Sequence, residues 1–177
     1  TCEATAGLLG NAIVALHREP GMHAALVRGD AKAKDIVAEV ARHGAPVQNT
    51  RRIGGGGGGA GLGGARPDLA GTRLAPGDAV LVLMGCAMRD PALHPAPDRF
   101  ELARAQRHQL GFGHGLHACP GMDLAQCIAA AGLEQLCGGP LATEGSLPAQ
   151  WRHRPSANGR LPLVDRCIVE HEEFMGE

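Results

Sequence analysis

Large aromatic side chains are scarce in this sequence. Its 177 residues include no tyrosine, three phenylalanines and one tryptophan. The hydrophobic content is nevertheless 44%, and alanine, leucine and valine supply most of it. A core can therefore form, but it contains few large side chains. A chain of this length is sufficient for one domain of ordinary size.

An excess of charge, long apolar runs and paired cysteines are also missing. The formal net charge is −1, which weighs against a nucleic-acid-binding or polybasic membrane surface. No apolar run approaches the roughly 18 residues that span a bilayer. No two cysteines have C-x-x-C spacing, which weighs against a zinc or iron–sulfur protein. Because the cysteines are too loosely spaced for a secreted disulfide scaffold, we expect a cytoplasmic location. They are Cys2, Cys86, Cys119, Cys127, Cys137 and Cys167.

Hydrophobic periodicity and helix-stopping residues predict four helices and two hairpins. The predicted helices cover residues 3–18, 22–28, 33–43 and 121–137. Pro76-Gly77-Asp78 predicts the turn of a hairpin over residues 72–83, whose second strand, 79–83, is expected to be buried. A C-terminal hairpin is predicted from residues 150–153 and 160–164. Residues 89–111 show little periodicity, so we expect an ordered loop or no fixed structure there.

Six consecutive glycines, Gly54 to Gly59, begin a stretch poor in side chains that extends to Gly64. Glycine allows the unfolded chain many conformations, and a stretch without side chains buries no apolar surface on folding. Residues 54–64 are therefore predicted to be a flexible insertion. A phosphate-binding loop is the alternative, although the Lys-Ser/Thr ending is absent. Residues 165–177 are predicted to be a tail.

Residues 112–121, with the sequence FGHGLHACPG, carry the strongest chemical signal. A cysteine must be ionised to bind iron, and Cys119 lies just before a predicted helix, where free N–H groups and the helix dipole favour an anion. Gly115 and Gly121 lack a Cβ atom, which lets the backbone approach a planar group closely. Phe112 is expected to pack against the sulfur and shield it from water. The alternative is a buried core thiol, a common role of free cysteines.

Five residues of this segment match every fixed position of the pattern F-x-x-G-x-H/R-x-C-x-G: Phe112, Gly115, His117, Cys119 and Gly121. The segment therefore resembles the haem-binding loop of the cytochrome P450 family, and the likeness extends over about residues 1–164. It implies a mainly α fold with small antiparallel β pieces (α+β), corresponding to the C-terminal part of the P450 fold. Since the sequence starts without an initiator methionine, we expect a fragment, which by itself binds haem weakly or not at all.

The same resemblance implies a cofactor, haem b, with Cys119 as the cysteinate ligand of its iron. His117 and Arg52 are implied to contact the haem propionates. For Arg52 the alternative is an ordinary surface arginine. The other implied haem contacts are Phe112, Gly113, Gly115 and Gly121.

Glu39 and Arg42 match the family pattern E-x-x-R on the third predicted helix. The spacing i, i+3 places them on one helix face, which by itself indicates only a solvated ion pair. In the family this pair is buried and is joined by an arginine that precedes the haem loop. Arg99 is predicted to be that arginine, with Arg104 as the substitute.

The N-terminal residues resemble the family's acid-alcohol pair, which guides protons to iron-bound oxygen. Glu3 takes the acid position, but Ala4 stands where the alcohol is expected. Thr5 follows directly, and we expect Glu3 and Thr5 to be the catalytic residues. The alternative for Thr5 is a hydroxyl that hydrogen-bonds within its own helix.

The implied function is that of a haem-thiolate monooxygenase fragment. It would insert one oxygen atom from O2 into a small, mostly apolar substrate, with electrons from a ferredoxin-like donor and without a nucleic-acid or membrane partner. The alternative is a non-catalytic, truncated haem-binding remnant.

Pro120 leads to a first testable prediction. Backbone N–H groups after a ligating cysteine donate to its sulfur, and proline has no N–H to donate. Replacing Pro120 with leucine is therefore expected to raise the Fe(III)/Fe(II) potential of the haem-loaded protein, measured by redox titration. An unchanged or lower potential would contradict this prediction.

Overall fold

The structure, a computed structural model of the chain, describes residues 2–54 and 68–164. Helices dominate, and the strands form small antiparallel pairs, as the sequence predicts. In the described part the helices are α1 (Cys2–Arg18), α2 (Met22–Arg28), α3 (Ala33–His43), α4 (Met84–Ala87) and α5 (Met122–Cys137). The strands there are β1 (Thr50–Ile53), β2 (Asp68–Leu69), β3 (Thr72–Arg73), β4 (Ala79–Val82), β5 (Trp151–Arg154) and β6 (Leu161–Val164).

The core lies where α1, α3 and α5 pack together. On α3 the apolar residues recur at the spacing of one helix face, and Ile36, Val37 and Val40 are almost completely buried. The predicted helices at 3–18, 22–28, 33–43 and 121–137 all agree with the structure to within one residue. The predicted C-terminal hairpin is also present, as β5 paired with β6.

Two glycines let the C-terminal hairpin approach α1. A Cβ atom added to Gly7 would lie 2.7 Å from a methyl carbon of Leu161, and one added to Gly10 would lie 3.5 Å from Pro162. The side-chain amide of Asn11 joins the same two elements, because it donates to the Gly7 carbonyl at 2.7 Å and to the Arg160 carbonyl at 2.9 Å. The backbones of α1 and β6 therefore approach each other closely.

The predicted hairpin over residues 72–83 is wrong. The turn exists, with Gly77 at φ +89°, but β3 pairs with β2 and β4 pairs with β1. The turn closes on Gly54, whose N–H donates to Asp78 and whose carbonyl accepts from Gly77, both at 2.8 Å. β4 therefore continues alongside β1, and it is largely exposed rather than buried.

Residues 89–109 form an ordered loop, held by buried charge. Glu39 and Arg42 of α3 are both completely buried, and Arg42 Nη2 donates to Glu39 Oε1 at 2.7 Å. Arg42 also donates to the carbonyls of Pro97 and Arg99 at 2.8 and 2.9 Å. The E-x-x-R pair therefore ties the loop to α3 and is not a solvated surface pair.

The prediction of Arg99 as the third charge is wrong. Its side chain is exposed, and only its backbone carbonyl joins the cluster. Arg104, the predicted substitute, contacts Glu39 Oε1 at 3.4 Å, and Arg107 contacts Oε2 at 3.1 Å. Glu39 thus faces three guanidinium groups. Burial alone would raise the pKa of Glu39, but the hydrogen bonds from Arg42 and Glu101 and the neighbouring arginine charges outweigh it and lower that pKa.

A buried histidine, His94, helps to hold the conformation of the loop at residues 89–109. Its ring is completely buried, and its Nε2 accepts a hydrogen bond of 3.1 Å from the backbone N–H of His108. A neutral ring that accepts at Nε2 carries its proton on Nδ1, which has no partner among the described residues. Burial lowers the pKa of His94, and the charges of Arg42, His108 and Arg104 lower it further, whereas Glu39 raises it.

Acid is expected to destabilise the protein through His94. Its folded-state pKa lies below the ordinary value of 6.5, so its contribution is complete above pH 6.5 and is lost as the pH falls through the folded pKa. One such group changes the free energy of unfolding by at most about 1.4 kcal/mol per pH unit. Urea unfolding between pH 7.5 and 5 measures this slope.

Replacing His94 with glutamine keeps an acceptor but removes the titration, so the slope should become smaller. His43 and His153 also have a lowered pKa, mainly through burial, and leave a residual slope. The matched control replaces the exposed His114 with glutamine. Equal slopes in both variants would exclude His94 as the source.

Two predicted segments, the glycine-rich insertion from residue 55 onward and the tail at 165–177, lie outside the described residues. Over residues 2–54 and 68–164, no helix is long and apolar enough to cross a membrane.

Candidate functional site

The backbone around Cys119 forms a tight loop before α5. Residues Leu110–Phe112 and Gly115–His117 each form a short 3-10 turn, and the Cys119 N–H donates to the Phe112 carbonyl at 2.7 Å. Gly113 has φ +80°, and a Cβ atom there would collide with the His117 carbonyl oxygen. This turn therefore requires glycine at position 113.

Cys119 lies exposed at the end of this loop, without a disulfide partner among the described residues. Gly115, at φ +59°, has open space where a Cβ atom would project. A Cβ atom on Gly121 would contact the Cys119 sulfur at 3.9 Å. The loop thus presents its sulfur with little side-chain bulk around it, as the sequence predicts for close approach of a flat group.

A cavity of about 810 Å³ separates this loop from α1. Cys119, Phe112 and His117 line one side of it, and Ala4 and Thr5 of α1 line another. A volume of this size is typical of sites that enclose small molecules or cofactors. The remaining lining residues come from α1, α5, β1 and the segments beside them: Ala6, Leu9, Val47, Thr50, Arg52, Met84, Gly111, Gly113, Gly121, Leu124, Ala125, Ile128 and Ala129.

Most of the predicted site residues meet at this cavity, with two exceptions. Glu3 does not line it and forms an exposed ion pair with Arg154 of β5. Gly115 belongs to the loop but does not line the cavity. Arg52 lines it, and its guanidinium donates to the Thr50 hydroxyl at 2.6 Å and to the Arg51 carbonyl at 2.9 Å.

The described residues contain no group of three or more histidine, cysteine, aspartate or glutamate side chains placed to hold a metal ion. A macrocycle such as haem supplies four nitrogen ligands in a plane, and its iron can take a cysteine thiolate on one side. The cavity beside Cys119 and the small residues around it fit such a group.

Comparison with known proteins decides the family. No protein-family model matches the chain. A putative cytochrome P450 133B2 of Xylella fastidiosa is 32% identical over 168 residues, which make up 92% of this chain and 39% of that protein. A biotin biosynthesis cytochrome P450 of Bacillus subtilis is 29% identical over 153 residues, 86% of this chain and 36% of that protein.

Solved structures agree. P450BioI in complex with hexadec-9Z-enoic acid ligated acyl carrier protein superposes with a TM-score of 0.74 at 28% identity, covering 90% of this chain and 39% of that one. CYP164A2 of Mycobacterium smegmatis with econazole bound gives a TM-score of 0.70 at 32% identity, covering 89% of this chain and 37% of that one. This chain belongs to the cytochrome P450 family. It spans about two fifths of the length of these P450 relatives.

Three apolar side chains are among the cavity residues that sequence analysis missed. Leu124 and Ile128 of α5 line the cavity although they are 65% and 52% exposed, and Leu9 of α1 lines it as well. The spacing of Leu124 and Ile128 indicates a single helix face. That signal does not distinguish a cavity wall from a core contact, because both are apolar.

Proposed function

We propose that this chain provides the thiolate ligand and the facing helix of a haem-thiolate monooxygenase site. The observation that carries the proposal is that Cys119 and Thr5 of α1 line the same cavity of about 810 Å³. Haem b would lie between them, with Cys119 as its iron ligand. Haem held there would supply oxygen activation, and the electron density of a cysteine thiolate ligand would favour that chemistry.

Arg52 and His117 are the proposed contacts for the haem propionates. Both line the cavity, and an arginine binds a carboxylate through charge-assisted hydrogen bonds. Arg52 is exposed, and its present hydrogen bonds go to uncharged groups of β1, so it can turn to a propionate without leaving an ion pair. Phe112, Gly113 and Gly121 would complete the contacts on the Cys119 side.

Thr5 is the proposed proton-handling residue, because it is the polar side chain that α1 presents to the cavity between Ala4 and Ala6. Its hydroxyl can accept and donate a proton at Oγ1. Glu3 is the proposed acid supplying that proton. It would first have to leave Arg154, and an exposed ion pair of this kind is worth only about 0–1 kcal/mol.

The lining also indicates the kind of substrate. Leu9, Leu124 and Ile128 make the cavity walls apolar, and this favours a small, mostly apolar organic molecule. We further propose that a ferredoxin-like protein supplies the electrons and that the protein acts in the cytoplasm.

Titration with haem tests the proposal. Excess haemin is added to the chain, the complex is reduced, and carbon monoxide is introduced. The red-shifted Soret band typical of thiolate-bound haem is expected. Because the chain by itself is expected to bind haem weakly, the band should approach saturation only at a large excess of haemin. If saturating haem gives no such band, or gives a histidine-type band instead, the proposed function is wrong.

A non-catalytic haem-binding remnant is the second candidate. The exposed Leu124 and Ile128 favour it, because they leave the cavity wall open to water, and Ala4 stands where the family has an alcohol. The two candidates differ in turnover. The monooxygenase should consume O2 with formation of a hydroxylated product when a ferredoxin and its reductase are supplied, whereas the remnant should give the thiolate band without product.

A further inference from the structure

A second recess, of about 230 Å³, lies beside the later turns of α1. It shares no lining residue with the Cys119 cavity. Its walls come from α1, α3, the ordered loop and the C-terminal hairpin. It is therefore a separate site, and nothing argued above assigns a role to it.

Three arginines line the recess, and among the residues that the structure describes only one of them, Arg89, has an acidic partner. Arg89 donates to Asp98 Oδ1 at 2.6 Å and to the His43 carbonyl at 2.7 Å. Arg18 has its guanidinium carbon 4.9 Å from the ring centroid of Trp151. Within residues 2–54 and 68–164, no carboxylate lies within 4 Å of the Arg18 or Arg160 guanidinium groups. In the part of the chain that the structure describes, two arginines thus line one recess without a contacting carboxylate.

The pKa values of two side chains that line the recess reflect the positive charge of these arginines. Burial lowers the pKa of His153, and the charges of Arg160 and Arg18 lower it further. Glu19 is the acid that lines the recess, and burial raises its pKa while Arg18 lowers it. One carboxylate beyond contact distance does not neutralise two guanidinium groups, so the recess attracts an anion.

The inner wall of the recess is apolar. Val14 and Val40 are 6% and 2% exposed, and Phe100 is half-buried beside them. An anion with a short hydrocarbon tail satisfies both parts of such a site. A fully hydrated inorganic anion would use only the charged part.

We propose that this recess binds a short-chain carboxylate. The carboxylate group lies between Arg18 and Arg160, and the alkyl chain covers Val14, Val40 and Phe100. Guanidinium groups bind carboxylates through paired, charge-assisted hydrogen bonds. Each methylene group that enters the recess is expected to raise the affinity about fourfold.

Isothermal titration of the whole 177-residue chain with butanoate tests the proposal. Saturable binding is expected, about 16-fold tighter than that of acetate because of two added methylene groups. Replacing Arg160 with glutamine should weaken butanoate at least tenfold. The matched control, Arg73→Gln, changes an exposed arginine of β3 outside the recess and should leave the affinity unchanged.

Three results would overturn the proposal: no saturable binding of butanoate, equal affinity in Arg160→Gln and the parent, or inorganic phosphate binding as tightly as butanoate. Circular dichroism verifies that the variant is folded, and Arg18→Gln provides the same test if Arg160→Gln is not. No haem is needed in these titrations, so their outcome is independent of the proposed monooxygenase function.

Discussion

Replacing Glu39 with glutamine is expected to destabilise the protein by about 3–5 kcal/mol. The carboxylate of Glu39 is fully buried and contacts the guanidinium groups of Arg42, Arg104 and Arg107. An amide has the same shape but no charge, so it would leave three buried or partly buried cations without their counter-ion. Urea unfolding followed by circular dichroism, with linear extrapolation to zero urea, measures the change.

Glu101→Gln is the matched control for this experiment. Its carboxylate also faces Arg104, at 3.6 Å, but its side chain is 50% exposed. Such a half-exposed pair is worth about 0–1 kcal/mol. A similar loss of stability in the two variants would mean that burial of Glu39 does not determine how much its carboxylate stabilises the protein.

The Glu39 contribution should also depend on pH in a defined direction. Because the folded-state pKa of Glu39 is below the ordinary 4.5, its stabilisation is present above that value and is lost as the pH falls through the folded pKa. Parent and Glu39→Gln should therefore converge in stability at strongly acid pH. A constant difference down to pH 3 would contradict this expectation.

Replacing Cys119 with serine is expected to abolish the thiolate-type Soret band of the reduced, carbon monoxide-bound protein. A serine hydroxyl is not ionised at neutral pH, so it cannot supply the electron density of a thiolate. Haem that still enters the cavity should then give a spectrum without the red shift. An unchanged spectrum would remove Cys119 from the proposed site.

The control is Cys127→Ser, on α5. Cys127 is exposed and unpaired like Cys119, but it does not line the cavity. It should keep the red-shifted band at full amplitude. Loss of the band in this variant too would indicate a general effect of cysteine removal.

The sequence predicted those parts of the structure that depend on a short stretch of chain. The loop around Cys119 is such a part, because Gly113 and the following turns are fixed by neighbouring backbone atoms. The helices were predicted equally well, since their apolar spacing and stop residues are local. Glu39 and Arg42 were paired correctly for the same reason.

Contacts between residues that lie far apart in the sequence were not predictable in this way. Arg99 and Arg104 are both arginines of one irregular loop, and only the path of that loop determines which side chain reaches Glu39. β4 pairs with β1 because Gly54 meets the turn at Gly77, not because of any local hairpin signal. Glu3 meets Arg154, 151 positions away, for a reason that lies entirely in the tertiary fold.

The close contact between α1 and β6 has a consequence for protein engineering. A Cβ atom on Gly7 would lie 2.7 Å from a methyl carbon of Leu161 and 3.4 Å from the Arg160 carbonyl oxygen, so the Leu161 side chain or the helix would have to shift. Thr5 stands two positions earlier on the same helix and lines the cavity. Substitutions on the C-terminal hairpin are therefore a route by which the placement of Thr5 can be altered without changing any residue of the cavity wall.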